Sequence, residues 1–209
     1  MSKTDKQSIR GTQTEKNLMK AFAGESQARN RYTFFAQVAH QEGYEKVATV
    51  FETVARNEKA HALVFFGFLE GGMVEMTGSY PAGVVGTTAE NLAAAAAGEY
   101  DEWSDLYPEY AQVAKDEGFV SVALAFEYIV GIEREHESKF LALKKAIDEH
   151  KMFKSDEPTR WICSECGYEH NSKQAAGKCP VCGKGQGFFE RKGCGCDMGD
   201  CECSEPKKD

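Results

Sequence analysis

Cysteine is missing from the first 162 residues of this 209-residue chain, although eight follow. A disulfide framework would spread its cysteines through the fold and would go with an export signal. The first sixteen residues are polar and carry no apolar core of a signal peptide, so a cytoplasmic protein is expected. An excess of basic residues is also missing. The net charge of −8 argues against a nucleic-acid partner. Long apolar runs are missing too: the most apolar stretch, 119–132, is broken by Glu127 and too short to span a bilayer, so no membrane partner is expected.

What is present is a repeated seam with charges in it. Apolar residues recur every three or four positions along four stretches. The first seam reads Leu18, Phe22, Glu25, Arg29, Tyr32, Ala36, Ala39, and the second Val47, Phe51, Val54, Glu58, His61, Phe65, Phe68. The third reads Leu92, Ala95, Glu99, Glu102, Leu106, and the fourth Val122, Phe126, Ile129, Glu133, His136, Phe140, Leu143, Ile147. This spacing puts each set on one helix face turned toward a common core. Five glutamates and two histidines would then meet inside a bundle. Burying them unpaired is prohibitively expensive, whereas two divalent ions would neutralise four of the five negative charges.

Helices are expected over 14–42, 45–70, 88–116 and 119–149, with threonines at the starts and Gly43 and Gly118 in short antiparallel connections. The glycine-rich stretch 71–87 has no helical period and is long for a compact domain; crossing the length of the bundle would explain it. The expected fold is an all-α four-helix ferritin-like bundle with one long crossover, plus a small metal-stabilised rubredoxin-like β domain. The boundaries are a bundle over 1–152, a linker over 153–160, a small domain over 161–191 and a cysteine-rich tail over 192–209. An internal repeat supports two matching hairpins: Glu25 precedes Glu58-x-x-His61 by 33 residues, and Glu99 precedes Glu133-x-x-His136 by 34.

Two Glu-x-x-His pairs plus a glutamate from each remaining helix is a di-iron or di-manganese arrangement. Glu58 and Glu133 are the natural bridges, Glu25 and Glu99 the terminal carboxylates, and each histidine gives one nitrogen to one ion. A single buried Glu-x-x-His would be an ordinary hydrogen-bonded core pair; two in phase with further acidic seam positions are not. Such carboxylate-rich sites suit iron or manganese better than zinc or copper(I). Arg29 is expected to pair with a carboxylate one turn away. His40, His150 and His170 are expected in solvent, and Glu52, Glu127, Glu135 and Glu137 as surface charge.

Cys163-x-x-Cys166 and Cys179-x-x-Cys182 form two knuckles separated by twelve residues, a tetrahedral thiolate site. Spacing alone does not separate a zinc ribbon from an iron-bearing rubredoxin. Fusion to a redox-capable dinuclear site favours iron, because a one-electron centre has a use there. Further on, Cys194, Cys196, Cys201 and Cys203 form two C-x-C pairs that suit metal binding, redox cycling or neither.

Both halves together resemble rubrerythrin over residues 14 to about 191. The resemblance rests on Asn17, Leu18, Ala21, Phe22, Gly24, Glu25, Ser26, Ala28, Arg29, Arg31 and Tyr32, both Glu-x-x-His pairs, Gly98, Glu99, Tyr107, Pro108 and the four spaced cysteines. It implies that Glu25, Glu58, His61, Glu99, Glu102, Glu133 and His136 hold two iron ions, and that Cys163, Cys166, Cys179 and Cys182 hold a third. It implies that one iron exchanges ligands between Glu102 and His61, with Tyr32 and Tyr107 beside the site. It further implies a peroxidase reducing hydrogen peroxide to water in oxidative-stress defence. Its donor would be a rubredoxin or an NAD(P)H-dependent reductase, and the protein a head-to-tail homo-oligomer, dimer or larger. The competing reading is a ferroxidase or iron-storage protein, which would not need the cysteine module. A zinc-stabilised interaction protein is the weaker third.

Overall fold

The computed structural model describes residues 7–192; the tail cysteines Cys194, Cys196, Cys201 and Cys203 lie outside that range. Two helical hairpins build the larger part. The first joins α1 (Gln13–Gln41) to α2 (Glu45–Phe68), and the second joins α3 (Thr88–Asp101) and α4 (Tyr107–Asp116) to α5 (Val120–Asp148). Between α3 and α4 runs a π-helical turn, Glu102–Leu106, where the Tyr107 amide reaches back to the Glu102 carbonyl. The third expected helix is therefore three pieces on one path. Residues 69–87 cross between the hairpins without regular structure.

Local chemistry fixes the ends. Thr12 caps α1 by accepting from the Glu15 amide, and Thr87 and Glu90 form a capping box at α3. Each hairpin turns on a Glu-Gly-aromatic triplet, with Gly43 at φ +79° and Gly118 at φ +86°. Those left-handed positions close the helices through Tyr44 N–H to Ala39 O at 2.8 Å and Phe119 N–H to Ala114 O at 2.7 Å. The loop glutamates then cross over. Glu42 accepts from the Thr88 amide at 3.1 Å, and Glu117 accepts from the Thr14 amide at 2.8 Å and its hydroxyl at 2.6 Å. Each hairpin caps the first helix of the other, which is a pseudo-twofold arrangement.

Several sequence expectations need correction. In α1 the buried stripe runs through Ala21, Glu25, Ala28 and Tyr32, while Arg29 faces solvent and donates to the Asn30 side chain at 3.3 Å. The small Ala28 lets the hairpins approach where an arginine would not fit. His40 is in solvent and pairs there with Glu45 at 2.7 Å, whereas His170 is half-buried and packs between Tyr168 and Phe189 with ring centroids at 5.9 and 5.3 Å. No helix among the described residues is long and apolar enough to cross a membrane.

The smaller part is a three-stranded antiparallel sheet, order β2-β1-β3, from β1 (Lys154–Cys163), β2 (Glu169–Gln174) and β3 (Phe189–Arg191). Residues 154–160, read as linker from their polar composition, form the first part of β1. Trp161, Cys163, Ala175, Cys179 and Phe189 make its small core. This sheet seats on the α1–α2 loop: Tyr44 stacks on Phe153 at 5.9 Å, Lys46 pairs with Glu190 at 3.1 Å, and Gly187 lies against Gly43. A Cβ on Gly187 would fall 2.1 Å from the Gly43 carbonyl oxygen. Gly187→Ala should therefore destabilise the chain by about 1–3 kcal/mol, read as a lower urea midpoint; an unchanged midpoint would show that the seat is not close-packed.

Candidate metal centres

Two apolar clusters fill the bundle, one around Phe35, Phe51 and Phe140 and the other around Phe65, Tyr107 and Phe126. The layer between them is ionisable. Glu25, Glu58, Glu99, Glu133, His61 and His136 are all buried, none more than 6% exposed. Glu25 comes from α1, Glu58 and His61 from α2, Glu99 from α3, and Glu133 and His136 from α5. They gather into two groups, Glu25, Glu58, His61, Glu133 and Glu58, Glu99, Glu133, His136, each with ligand atoms within 4.8 Å of one another. Glu58 and Glu133 belong to both.

The distances test whether an ion fits. Two ligand atoms about 2.1 Å from one ion lie about 3 Å apart at right angles and about 4.2 Å apart on opposite sides. His61 Nδ1 is 2.8 Å from Glu133, 3.0 Å from Glu58 and 3.9 Å from Glu25. His136 Nδ1 is 2.7 Å from Glu133, 3.2 Å from Glu58 and 3.9 Å from Glu99. Despite this closeness, Glu25 Oε2, Glu58 Oε1, Glu99 Oε2, both Glu133 oxygens and His136 Nδ1 make no hydrogen bond of acceptable geometry. Their lone pairs converge on shared points rather than on one another. Buried polar atoms are rarely left so, and two cations satisfy all of them.

The other oxygens of Glu25 and Glu99 are held by tyrosines. Tyr107 donates to Glu25 Oε1 and Tyr32 to Glu99 Oε1, each at 2.6 Å. Each tyrosine reaches from one hairpin to the terminal carboxylate of the other. The two are not at equal spacing in sequence. Tyr32 follows Glu25 by seven residues, whereas Tyr107 follows Glu99 by eight. The π turn absorbs the extra residue and brings Tyr107 back into register. It also projects Glu102, which has no counterpart in α1 and stands outside both four-residue groups, on the wall of a neighbouring cavity. The 33- and 34-residue spacings carried this signal, since tyrosine to Glu-x-x-His is 26 residues in both halves.

Three further residues have no sequence signature of their own. Asn57 Nδ2 lies 3.1 Å from His136 Nε2, the ring nitrogen that faces away from the carboxylates, and so helps to fix the ring. Trp103 donates to Glu137 at 2.7 Å and pins the π turn to α5, which gives Glu137 more than a surface role.

The thiolate site closes in the same way. Cys163 Sγ is 3.7 Å from Cys182 Sγ and Cys166 Sγ is 3.6 Å from Cys179 Sγ. Four sulfurs about 2.3 Å from one ion at tetrahedral angles lie about 3.8 Å apart. Burial alone would raise the Cys179 thiol, but the amides of Cys182 and Val181 pull it down to about 7. Those amides face the sulfur as donors to a thiolate.

Metal-free, the carboxylate site must hold protons instead. Burial and then the neighbouring carboxylates raise Glu99 to about 8, while Glu25 is raised well above its ordinary value by burial and by Glu102. Burial would lower His61 and His136, but the Glu133 and Glu58 carboxylates set against them raise them to about 9 and about 12. Burial would raise Glu58, yet His136 and His61 draw it down to about 2. Between about pH 5 and 9 the folded metal-free chain thus binds more protons than the unfolded one, so its stability falls as pH rises. Glu58 acts in the opposite sense only below the ordinary carboxylate range. Metal competes with those protons, so the loaded chain should gain on the metal-free chain as pH rises. Melting of chelator-treated and iron-loaded protein across that range checks this; parallel profiles would refute it.

Comparison with known proteins agrees with this pairing of sites. A family model described as rubrerythrin matches residues 16–144, and a second, described as the rubredoxin-like domain of rubrerythrin, matches residues 161–190. A rubrerythrin from Porphyromonas gingivalis is 54% identical over 183 residues, 88% of this chain and 92% of that protein. One from Nitratidesulfovibrio vulgaris is 41% identical over 186 residues, 89% and 97% of the two. Among solved structures, the fully reduced, all-ferrous state of nigerythrin aligns with a TM-score of 0.59 at 31% identity, covering 91% of each chain. With converging carboxylates and imidazoles in one domain and four converging sulfurs in the other, the chain belongs to the rubrerythrin family and carries that family's di-iron carboxylate/histidine site together with a rubredoxin-like iron site on four cysteines.

Proposed function

We propose that this chain is a peroxidase that reduces hydrogen peroxide to water, with electrons arriving through the thiolate iron. The two-iron ligands in this reading are Glu25, Glu58, His61, Glu99, Glu102, Glu133 and His136, and the electron-input ligands are Cys163, Cys166, Cys179 and Cys182. The observation that carries it is the presence of both clusters in one chain: a two-electron centre and a one-electron centre have little use for each other outside redox turnover. When bound, two ferrous ions supply two electrons together, so the O–O bond is cleaved without releasing a hydroxyl radical.

The chain's own residues set the conditions. Glu58 and Glu133, each shared by both groups, hold the two sites at a fixed separation on rigid helices. Burial, then the nearby carboxylates, keeps the Tyr32 and Tyr107 hydroxyls protonated, so each remains a donor fixed on a terminal carboxylate. His61 sits within its group while Glu102 stands outside, which supports a ligand exchange between the two at one iron.

Electron delivery favours more than one copy. The thiolate domain seats at the Gly43 end of the bundle, and Glu58 lies 13 residues along α2 from Glu45. At 1.5 Å per residue that separation is about 20 Å along the axis. A head-to-tail partner would bring a thiolate iron closer to the di-iron site. The external donor is a rubredoxin or an NAD(P)H-dependent reductase.

Cys163→Ser with Cys182→Ser tests the route. The double variant should lose NADH-coupled peroxide turnover through added reductase, yet its chemically reduced di-iron site should still consume about one equivalent of peroxide in a single turnover. Unchanged steady-state turnover would mean that electrons bypass the thiolate site and would favour the ferroxidase reading.

A further inference from the structure

A cavity of about 410 Å³ lies beside the carboxylate cluster, between α1, the π turn and crossover residues 77–81. Glu102 and Tyr107 line it on the side of the metal ligands, and Tyr107 is the residue that holds Glu25. Tyr80 lines it on the solvent side, partly exposed. The seating of that tyrosine is specific. Its hydroxyl donates to the Lys20 carbonyl at 3.0 Å, which fastens the crossover to α1. Its ring lies between two glycines. A Cβ on Gly78 would fall 3.0 Å from the ring and from its hydroxyl, so a side chain there would press against the ring as it is seated. A Cβ on Gly24 would fall 3.9 Å from the ring and 3.7 Å from Glu102 Oε1, so ring and carboxylate flank one small gap over the bare surface of α1.

We propose that Tyr80 is a specificity-determining plug in the passage to the di-iron site, admitting hydrogen peroxide and holding back bulky organic hydroperoxides. The inference rests on the peroxidase reading above. Hydrogen peroxide is little larger than a water molecule, which occupies about 30 Å³ in the liquid, and it passes a seated ring. An aryl-substituted hydroperoxide needs the ring displaced. Either substrate takes two electrons from the same donor and two protons; the O–O bond breaks to give water plus water or water plus the alcohol. The selectivity would therefore lie in access and not in the bond broken.

The test uses the full-length, iron-loaded chain with Tyr80→Ala and Tyr80→Phe, iron content being measured in each. In Tyr80→Ala the ratio of kcat/KM for cumene hydroperoxide to that for hydrogen peroxide should rise at least about tenfold. Tyr80→Phe, which keeps the ring, should stay closer to the parent. A second readout needs no turnover: azide should associate with the oxidised chain several-fold faster in Tyr80→Ala, followed by absorbance. If either the ratio or the azide rate is unchanged in Tyr80→Ala, the plug is refuted. If the parent consumes no peroxide, the peroxidase reading falls on its own, and the azide rate alone decides whether Tyr80 guards the passage.

Discussion

The fold is organised around the desolvation of charge. Four carboxylates and two imidazoles sit in a layer closed on both sides by aromatic and aliphatic side chains. Water cannot neutralise them there, and two imidazoles cannot balance four carboxylates. Only cations at the two convergence points, or protons in their absence, make this layer compatible with a packed core. Metal binding and the stability of the bundle are thus coupled. The tyrosines and Asn57 follow from the same constraint, since each occupies a position on a ligand that a metal leaves open.

The thiolate domain meets a different version of the problem. Its core is five residues, two of them cysteines, so the ion supplies cohesion that apolar area cannot. What ties it to the bundle is backbone contact at two glycines with an aromatic stack and an ion pair around them. A seat without side chains at its centre has little room to adjust. The orientation of the thiolate site on the bundle is set by main-chain geometry rather than by adjustable side chains.

Most of this was legible in the sequence because buried charge in a helical seam has few explanations. The two Glu-x-x-His pairs, the acidic partners and the cysteine knuckles could be read from spacing, and the helix ends from threonines and glycines. Misreadings arose where periodicity is ambiguous by one residue. Ala28 and Arg29 fit a 3-4 pattern about equally well, and only packing against the second hairpin selects the smaller. The linker reading of 153–160 took no account of strand for another reason: the first part of β1 pairs on one side only, with β2, and such an exposed strand is as polar as a loop. Asn57, Tyr80 and the Gly43–Gly187 seat were not legible at all, because each depends on chain segments distant in sequence.

The π turn carries a consequence for how such a chain can change. Each residue advances a helix by about 100°, so one residue gained or lost between Glu99 and Tyr107 turns everything after it away from its partner unless the ladder widens locally. The two hairpins therefore differ by a discrete step, with no intermediate sequence available to gradual substitution. That step confers an additional carboxylate on one half alone. Two halves of equal length would surround their two sites alike; in this chain the extra residue leaves the surroundings of one site unlike those of the other.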